Sequence, residues 1–299
     1  MKNKRQTLPA DPQVNQVLTQ PCHTQQAKQA DSDNQSALQR RIARQFSQAA
    51  DVYAKHNVLQ LRTASMLQSN ADLSGIVLDI GAGPGTAFPA AQQVIAVDIA
   101  VGMLLKLGCN FPDYTALCAD AMALPLADNS IQTVYSNLAL QWCSDFPQAL
   151  AEIYRVLQPG GHCYVSLITA GSLPQLEYLG LRCNAFATAN DIDAQINSLP
   201  WQQSQIQQQT VTVHFAQLTA LLQSLKGIGA SAPGPREAAV GQVTDEKSNS
   251  NNDGHTVATT AAGLKGRGFL HQLQRRAETL RTDAGLPLDY QVLTFCCQK

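Results

Sequence analysis

From about residue 37 onward, apolar positions fall into short runs separated by helical stripes. Ile76–Ile80 is apolar apart from Asp79 and ends at a cluster of glycines, the pattern of a parallel strand buried on both faces. Val94–Asp98 repeats the pattern, Thr115–Asp120 carries it more weakly, and Ile131–Asn137 and Gly161–Ile168 follow. Between these runs lie helical stripes over Gly102–Leu107 and Pro147–Leu157, the latter with Ala149, Leu150, Ile153, Val156 and Leu157 on one face. The turn Gln158-Pro159-Gly160-Gly161 is expected to stop that helix. Ahead of the strands, residues 37–69 read as helix, with Ile42, Phe46, Ala49, Ala50 and Tyr53 at helical spacing, then Leu59, Leu61 and Met66. Later come an alternating run Val211–Phe215, helices over Ala216–Lys226 and about Phe269–Arg281, and a strand Tyr290–Cys297. Five β/α units followed by two late strands predict an α/β fold: a doubly wound, seven-stranded, mostly parallel, Rossmann-like sheet with an antiparallel C-terminal strand pair.

Two segments fall outside this pattern. Residues 1–36 are rich in Gln, Asn, Asp, Ser and Pro and are expected to form a disordered tail, because they bury too little to offset the entropy of ordering. Residues 231–263 lack apolar periodicity and read as a low-complexity, disordered surface insertion. The folded domain is then 37–299.

Composition narrows the classes. Lys and Arg number 21 against 22 Asp and Glu, a formal net charge of −1, which disfavours a nucleic-acid binder. The charge is uneven: residues 71–170 hold two basic and eight acidic side chains. No apolar run approaches the ~18 residues of a membrane span, and no apolar stretch follows the basic N-terminus as in an export signal. Eight cysteines without C-x-x-C spacing read as reduced cytosolic thiols, mostly small core residues, with no metal site. A cytoplasmic protein is expected.

The strongest chemical signal is Asp79-Ile80-Gly81-Ala82-Gly83-Pro84-Gly85. A strand running into alternate glycines lets the backbone approach a ligand, and a following helix is expected to offer free N–H groups. The spacing G-x-G-x-G differs from the G-x-G-x-x-G of dinucleotide folds, and no G-x-x-x-x-G-K is present. Asp98 ends the second strand 19 residues after Asp79, where a carboxylate can accept ribose hydroxyls. These features point to adenosine carrying an amino acid rather than a pyrophosphate.

The run Asp79–Gly85 resembles the D/E-x-G-x-G-x-G motif of the class I S-adenosylmethionine-dependent methyltransferases. Asp98, the Ala119-Asp120-Ala121 run after strand three, Asn137 to Trp142, and Glu152 to Gly161 fit the same family in order. Within it, Asn137-Leu138-Ala139-Leu140-Gln141-Trp142-Cys143, Gly171 to Leu176, and Ser224-Leu225-Lys226-Gly227-Ile228-Gly229-Ala230 look like the malonyl-acyl-carrier-protein O-methyltransferases of biotin synthesis, the BioC family. The early helix from Phe46 through Tyr53 and His56 to Gln60 is similar too, and the likeness covers about residues 40–230 and 264–299. Three features depart from the family. Asp98 follows Gly85 by only 13 residues with Pro89 between, so the first helix is expected to be short and distorted; Ala185 stands where an Arg is frequent; and the insertion before Gly263 is long.

The resemblance implies methyl transfer from S-adenosyl-L-methionine to the free carboxylate of a malonyl thioester on acyl carrier protein, or on coenzyme A, an early step of biotin synthesis. It implies no general base, since a carboxylate with a pKa near ~4 is already ionised; the catalytic set is positioning only. The cofactor set it implies is Tyr53, Asp79, Gly81, Ala82, Gly83, Gly85, Asp98, Ile99, Met103, Asp120, Ala121, Met122 and Asn137. Gln141, Trp142 and Lys226 would meet the substrate, residues 171–210 would cover it, and Lys265, Arg267 and Arg275 would dock an acidic carrier protein. The rival readings are a methyltransferase for a small carboxylate or quinone-type substrate, a nicotinamide oxidoreductase, and a non-catalytic methyltransferase-like binding module.

Overall fold

The strands expected from the apolar runs assemble into one seven-stranded sheet of order β3-β2-β1-β4-β5-β7-β6. They are β1 (Ile76–Ile80), β2 (Gln93–Asp98), β3 (Thr115–Cys118), β4 (Ile131–Asn137), β5 (Leu157–Ile168), β6 (Gln203–Phe215) and β7 (Leu286–Gln298). The structure is a computed structural model, and it describes residues 29–53, 57–69, 71–88, 93–227 and 267–299. All pairings from β3 through β5 are parallel, and β7 runs antiparallel to both its neighbours. Central strand β1 is buried at all five positions, as its near-continuous apolar run requires.

The helices are α1 (Gln29–Tyr53), α2 (Val58–Ser69), α3 (Val101–Asn110), α4 (Phe146–Val156), α5 (Pro174–Tyr178), α6 (Ala189–Ile196), α7 (Leu218–Gly227) and α8 (Arg267–Glu278). Helix α4 follows its sequence signals. The Asp145 side chain caps it by accepting from Gln148 N–H at 3.0 Å, and Ala149, Leu150, Ile153 and Val156 are buried. Lys299 closes its other end, its Nζ donating to the carbonyls of Tyr154 at 2.7 Å and Leu157 at 2.8 Å.

Several expectations change. Helix α1 begins at Gln29, eight residues inside the segment read as a disordered tail; residues 1–28 and the 231–263 insertion lie outside the described residues. Once the periodic stretch nucleates a helix, propagation into polar sequence adds a hydrogen bond for each residue fixed. Leu61 is 61% exposed, since α2 buries Leu59, Thr63 and Leu67 instead. The Gln158–Gly161 turn is absorbed as a bulge in β5, whose pairing to β4 jumps from Ile131–Leu157 to Thr133–His162. Strand β6 starts eight residues before Val211 because Gln203–Thr210, though polar, forms an edge that is exposed except at Ile206. The last eight residues of the 171–210 segment therefore belong to the sheet. Of the seven described cysteines, Cys163 and Cys297 are buried, while Cys109 and Cys118 are exposed.

The loop after β3, which carries Asp120, is fastened by Arg155 of α4. Arg155 donates to Glu152 twice at 2.8 Å, to Asp128 at 2.7 Å, and to the carbonyls of Leu126 and Leu124 at 2.7 and 2.9 Å. Glu152, its side chain 13% exposed, also accepts Leu124 N–H at 2.7 Å. Arg155→Leu leaves that carboxylate without its cation and is expected to lower stability by about 2–3 kcal/mol in urea unfolding. A loss within about 0.5 kcal/mol would show the network to be a screened surface pair.

Candidate active site

The sheet changes winding direction between β1 and β4, and a cavity opens at the carboxyl ends of these strands. Its floor comes from four strand ends: Ile80 and Gly81, Val97 to Ile99, Ala119 to Ala121, and Asn137 to Leu140. Its roof is one stripe of α1, formed by Gln39, Ile42, Phe46 and Tyr53. This helix crosses α3, with Ser47 Oγ accepting Gly102 N–H at 3.2 Å, and Phe46 meets Trp142 edge-to-face at 5.8 Å.

The glycine loop folds back under β2, with Gly81 and Ala82 N–H bonded to the Val97 carbonyl at 2.8 and 3.0 Å. Gly81 has φ +70°, and a Cβ there would lie 2.1 Å from Ala139 Cβ, so the loop after β4 can close only over glycine. Gly83 has φ +55°, and a Cβ there would meet nothing within 4 Å. Its free side faces room that a ligand can fill. The helix expected to follow this loop is absent at residues 85–88, and 89–92 lie outside the described residues. Pro89 disfavours helical backbone at Phe88.

Asp98 ties the loop to the cavity. One carboxylate oxygen accepts Gly83 N–H at 2.8 Å and the other accepts Ala100 N–H at 2.7 Å. Burial raises its pKa and these bonds lower it, leaving it above the usual carboxylate value. Asp79 lies beneath, 1% exposed, with Oδ2 buried and without a hydrogen-bond partner. Its partner across the β1–β4 ladder, Tyr135, is fully buried and its hydroxyl also lacks a partner. Burial, and then the Asp98 charge, hold Asp79 well above the carboxylate range. A positively charged ligand in the cavity would offset the repulsion between these two carboxylates. The donor set and the space beside Gly83 thus fit an adenosine-bearing cation such as S-adenosylmethionine.

Nine of the residues expected around a cofactor line this cavity: Tyr53, Gly81, Gly83, Asp98, Ile99, Met103, Asp120, Ala121 and Asn137. Four do not. Asp79 is under the floor, Ala82 packs with Ala96 and Leu107, and Gly85 is pressed against Phe111. The Met122 sulfur turns to Ser144 Oγ at 3.6 Å and to Asp145 N–H at 3.3 Å. Of the substrate residues, Trp142 lines the cavity, Gln141 faces a neighbouring one, and the Lys226 side chain is not among those described. Lys265 lies outside the described residues, Arg267 begins α8 without a described side chain, and Arg275 is exposed on α8. The sequence reading missed Gln39, Ile42 and Phe46 as lining residues, although the latter two sat on the periodic stripe. It also missed Leu138, Ala139, Leu140 and Cys143. Leu138 is held at φ +53° by bonds from its N–H to the carbonyl and Oγ of Ser166, at 3.0 and 3.1 Å. Such strained backbone concentrates at functional sites.

A family model described as a methyltransferase domain matches residues 78–165, the span from β1 into β5. A solved structure of a candidate methyltransferase from Bacillus halodurans matches with TM-score 0.51 at 14% identity, covering 80% of this chain and 99% of that one, a likeness of fold. Sheet, cavity and matched domain define a class I S-adenosylmethionine-dependent methyltransferase. Among curated relatives, the malonyl-[acyl-carrier protein] O-methyltransferase of Methylovorus sp. is 32% identical over 278 residues, covering 85% of this chain and 86% of that protein. The protein of the same name from Yersinia pestis is 33% identical over 269 residues, covering 84% and 88%. The chain belongs to the malonyl-[acyl-carrier protein] O-methyltransferase family.

The two carboxylates make the cofactor-free protein pH-sensitive. Asp79 keeps its proton in the folded state over a range where the unfolded chain, with a pKa near ~4, has lost it. Stability from this group is therefore present at low pH and lost as pH rises from about 4 towards the folded pKa. Asp79→Asn is expected to raise the thermal midpoint of the cofactor-free protein more at pH 8 than at pH 5. An equal shift at both values would contradict the assignment.

Proposed function

We propose that this chain moves a methyl group from S-adenosylmethionine to the free carboxylate of a malonyl thioester carried by acyl carrier protein, an early step in biotin synthesis. The carrying observation is likeness to malonyl-[acyl-carrier protein] O-methyltransferases over more than four-fifths of both chains, well beyond the matched methyltransferase domain. Bound S-adenosylmethionine supplies a methyl group on a positively charged sulfur. Asp98 accepts the ribose hydroxyls with its remaining lone pairs, Asp120 meets the adenine amino group, and Gly81 and Gly83 allow close backbone approach. A cation bound above Asp79 favours loss of its proton, and the ionised carboxylate then offsets the ligand's positive charge from below.

The acceptor is an ionised carboxylate, so no residue has to remove a proton. The protein aligns two reactants and excludes water, effects worth up to roughly 7–11 kcal/mol of barrier. The α1 roof and the Phe46–Trp142 contact close the cavity. Burial, followed by the Asp120 and Asp145 charges, pushes the Cys143 thiol up to about 12. It stays protonated at neutral pH and does not compete for the methyl group. Burial raises the Tyr53 hydroxyl likewise, leaving a neutral donor beside the cofactor. Lys226 of α7 is the proposed orienter of the malonyl carboxylate. The carrier protein, acidic in this reading, docks on the α8 side through Lys265, Arg267 and Arg275, and not on the acidic nucleotide-binding half.

Mass spectrometry of malonyl-acyl carrier protein after incubation with S-adenosylmethionine is expected to show the gain of one methyl group, with free malonate and quinols unchanged. Methylation of a free diacid or quinol, with the malonyl thioester untouched, would overturn the reading in favour of a small-molecule methyltransferase.

A further inference from the structure

The loop after β4 gives Leu138, Ala139, Leu140, Trp142 and Cys143 to the cavity wall, and it turns on Leu138 with its backbone at φ +53°. A leucine keeps to this left-handed region only where its surroundings hold it there. Ser166 of β5 does the holding. It pairs with Asn137 in the β4–β5 ladder and is fully buried behind the wall. The Leu138 N–H donates to the Ser166 carbonyl at 3.0 Å and to its Oγ at 3.1 Å. The Ser166 hydroxyl in turn donates to Asn137 Oδ1 at 2.7 Å.

The direction of this chain is set at both ends. A peptide N–H can only donate, so Oγ accepts from Leu138 and directs its single proton to Asn137. The amide atom facing it is then the oxygen, which leaves Nδ2 to donate to the Gln60 carbonyl of α2 at 2.9 Å, where only a donor fits. Each end of the Asn137 amide is thus engaged within the protein, although Asn137 lines the cavity. The chain runs unbroken from the left-handed turn through β5 to α2. The same loop grips the roof a second time, through Trp142 against Phe46 of α1. Leu138 also packs in one apolar cluster with Leu59, the neighbour of Gln60. Ser166 therefore sits where the cavity wall is tied to the helices beside and above it.

We propose that Ser166 is a positioning residue for methyl transfer. Acting through Leu138 and Asn137, it sets the spacing between the loop after β4 and the helices α1 and α2, and with it the alignment of the malonyl carboxylate on the methyl group. A displacement that needs no general base draws its rate from such alignment, and a misplacement of about 1 Å costs on the order of 100-fold. This inference rests on the methyl-transfer reading above and adds a residue that touches neither reactant.

Ser166→Ala removes the donor to Asn137 but keeps the backbone carbonyl that receives the Leu138 N–H, so the variant is expected to fold. With S-adenosylmethionine saturating, single-turnover methylation of malonyl-acyl carrier protein is expected to slow about 10-fold, the scale of one lost buried hydrogen bond. Affinity for S-adenosylmethionine should stay near that of the wild type, because Asp98 and the glycine loop are untouched. Ser166→Thr restores the hydroxyl and should recover most of the rate. Asn137→Ala should slow the step to a similar degree, and adding Ser166→Ala to it should cost little more, since both break one chain. A wild-type rate in Ser166→Ala, equal slowing in the Ala and Thr variants, or losses that multiply in the double variant would overturn the positioning role and leave the reaction standing. Wild-type protein that leaves malonyl-acyl carrier protein unmethylated would overturn the reaction and the role together.

Discussion

The pair of backbone hydrogen bonds accepted by Asp98 is the constraint on which the site depends. One comes from Gly83 in the loop after β1, the other from Ala100 at the start of α3. The same carboxylate therefore fixes the glycine loop, the beginning of the helix that α1 crosses, and the acceptor position at the end of β2. The loop is further pinned by the Val97 carbonyl and covered by Ala139, leaving Gly81 no space for a side chain. These contacts hold the strand ends around the cavity before any ligand arrives, the kind of preorganisation that limits the ordering cost of binding.

The same arrangement carries an electrostatic cost. An ionised Asp79 would repel Asp98, so Asp79 holds its proton, and its Oδ2 and the Tyr135 hydroxyl are both buried without a partner. A domain selected for stability alone would not place a carboxylate there. A cationic ligand relieves the conflict, so stability lost in the free protein returns as selectivity for a positively charged cofactor. The roof works in the opposite sense. Ile42, Phe46 and Trp142 close the cavity with apolar surface, and the raised Tyr53 and Cys143 groups stay neutral. In the proposed reaction the nucleophilic charge arrives with the methyl acceptor.

Much of this was legible in the sequence where a single physical demand dominated. The run at Ile76–Ile80 coincides with β1 because buried parallel strands favour apolar residues, and Ile131–Asn137 coincides with β4, where the buried Thr133 and Ser136 hydroxyls donate to the Ser74 and Ile80 carbonyls. Asp98 stood out as a charge at the end of such a run. Legibility failed where tertiary context decided. Gln203–Thr210 joins β6 through pairing with β7, with no alternation to announce it. No helix forms over residues 85–88, where Pro89 disfavours helical backbone at Phe88. Ala82, Gly85 and Met122 belong to the recognised motifs but turn towards neighbouring elements, since motif spacing says which loop approaches a ligand and not which atoms touch it. Gln39, Ile42 and Phe46 showed the reverse: their helical stripe was visible, but that it covers a cavity rather than a solid core depends on how α1 crosses α3.

The most direct test is calorimetric titration of S-adenosylmethionine into Asp98→Ala, with cooperative unfolding used to verify that the variant is folded. Loss of the acceptor that holds the loop and, in the proposed reading, the ribose is expected to weaken affinity by about 10- to 100-fold. Wild-type affinity in a folded Asp98→Ala protein would contradict the account.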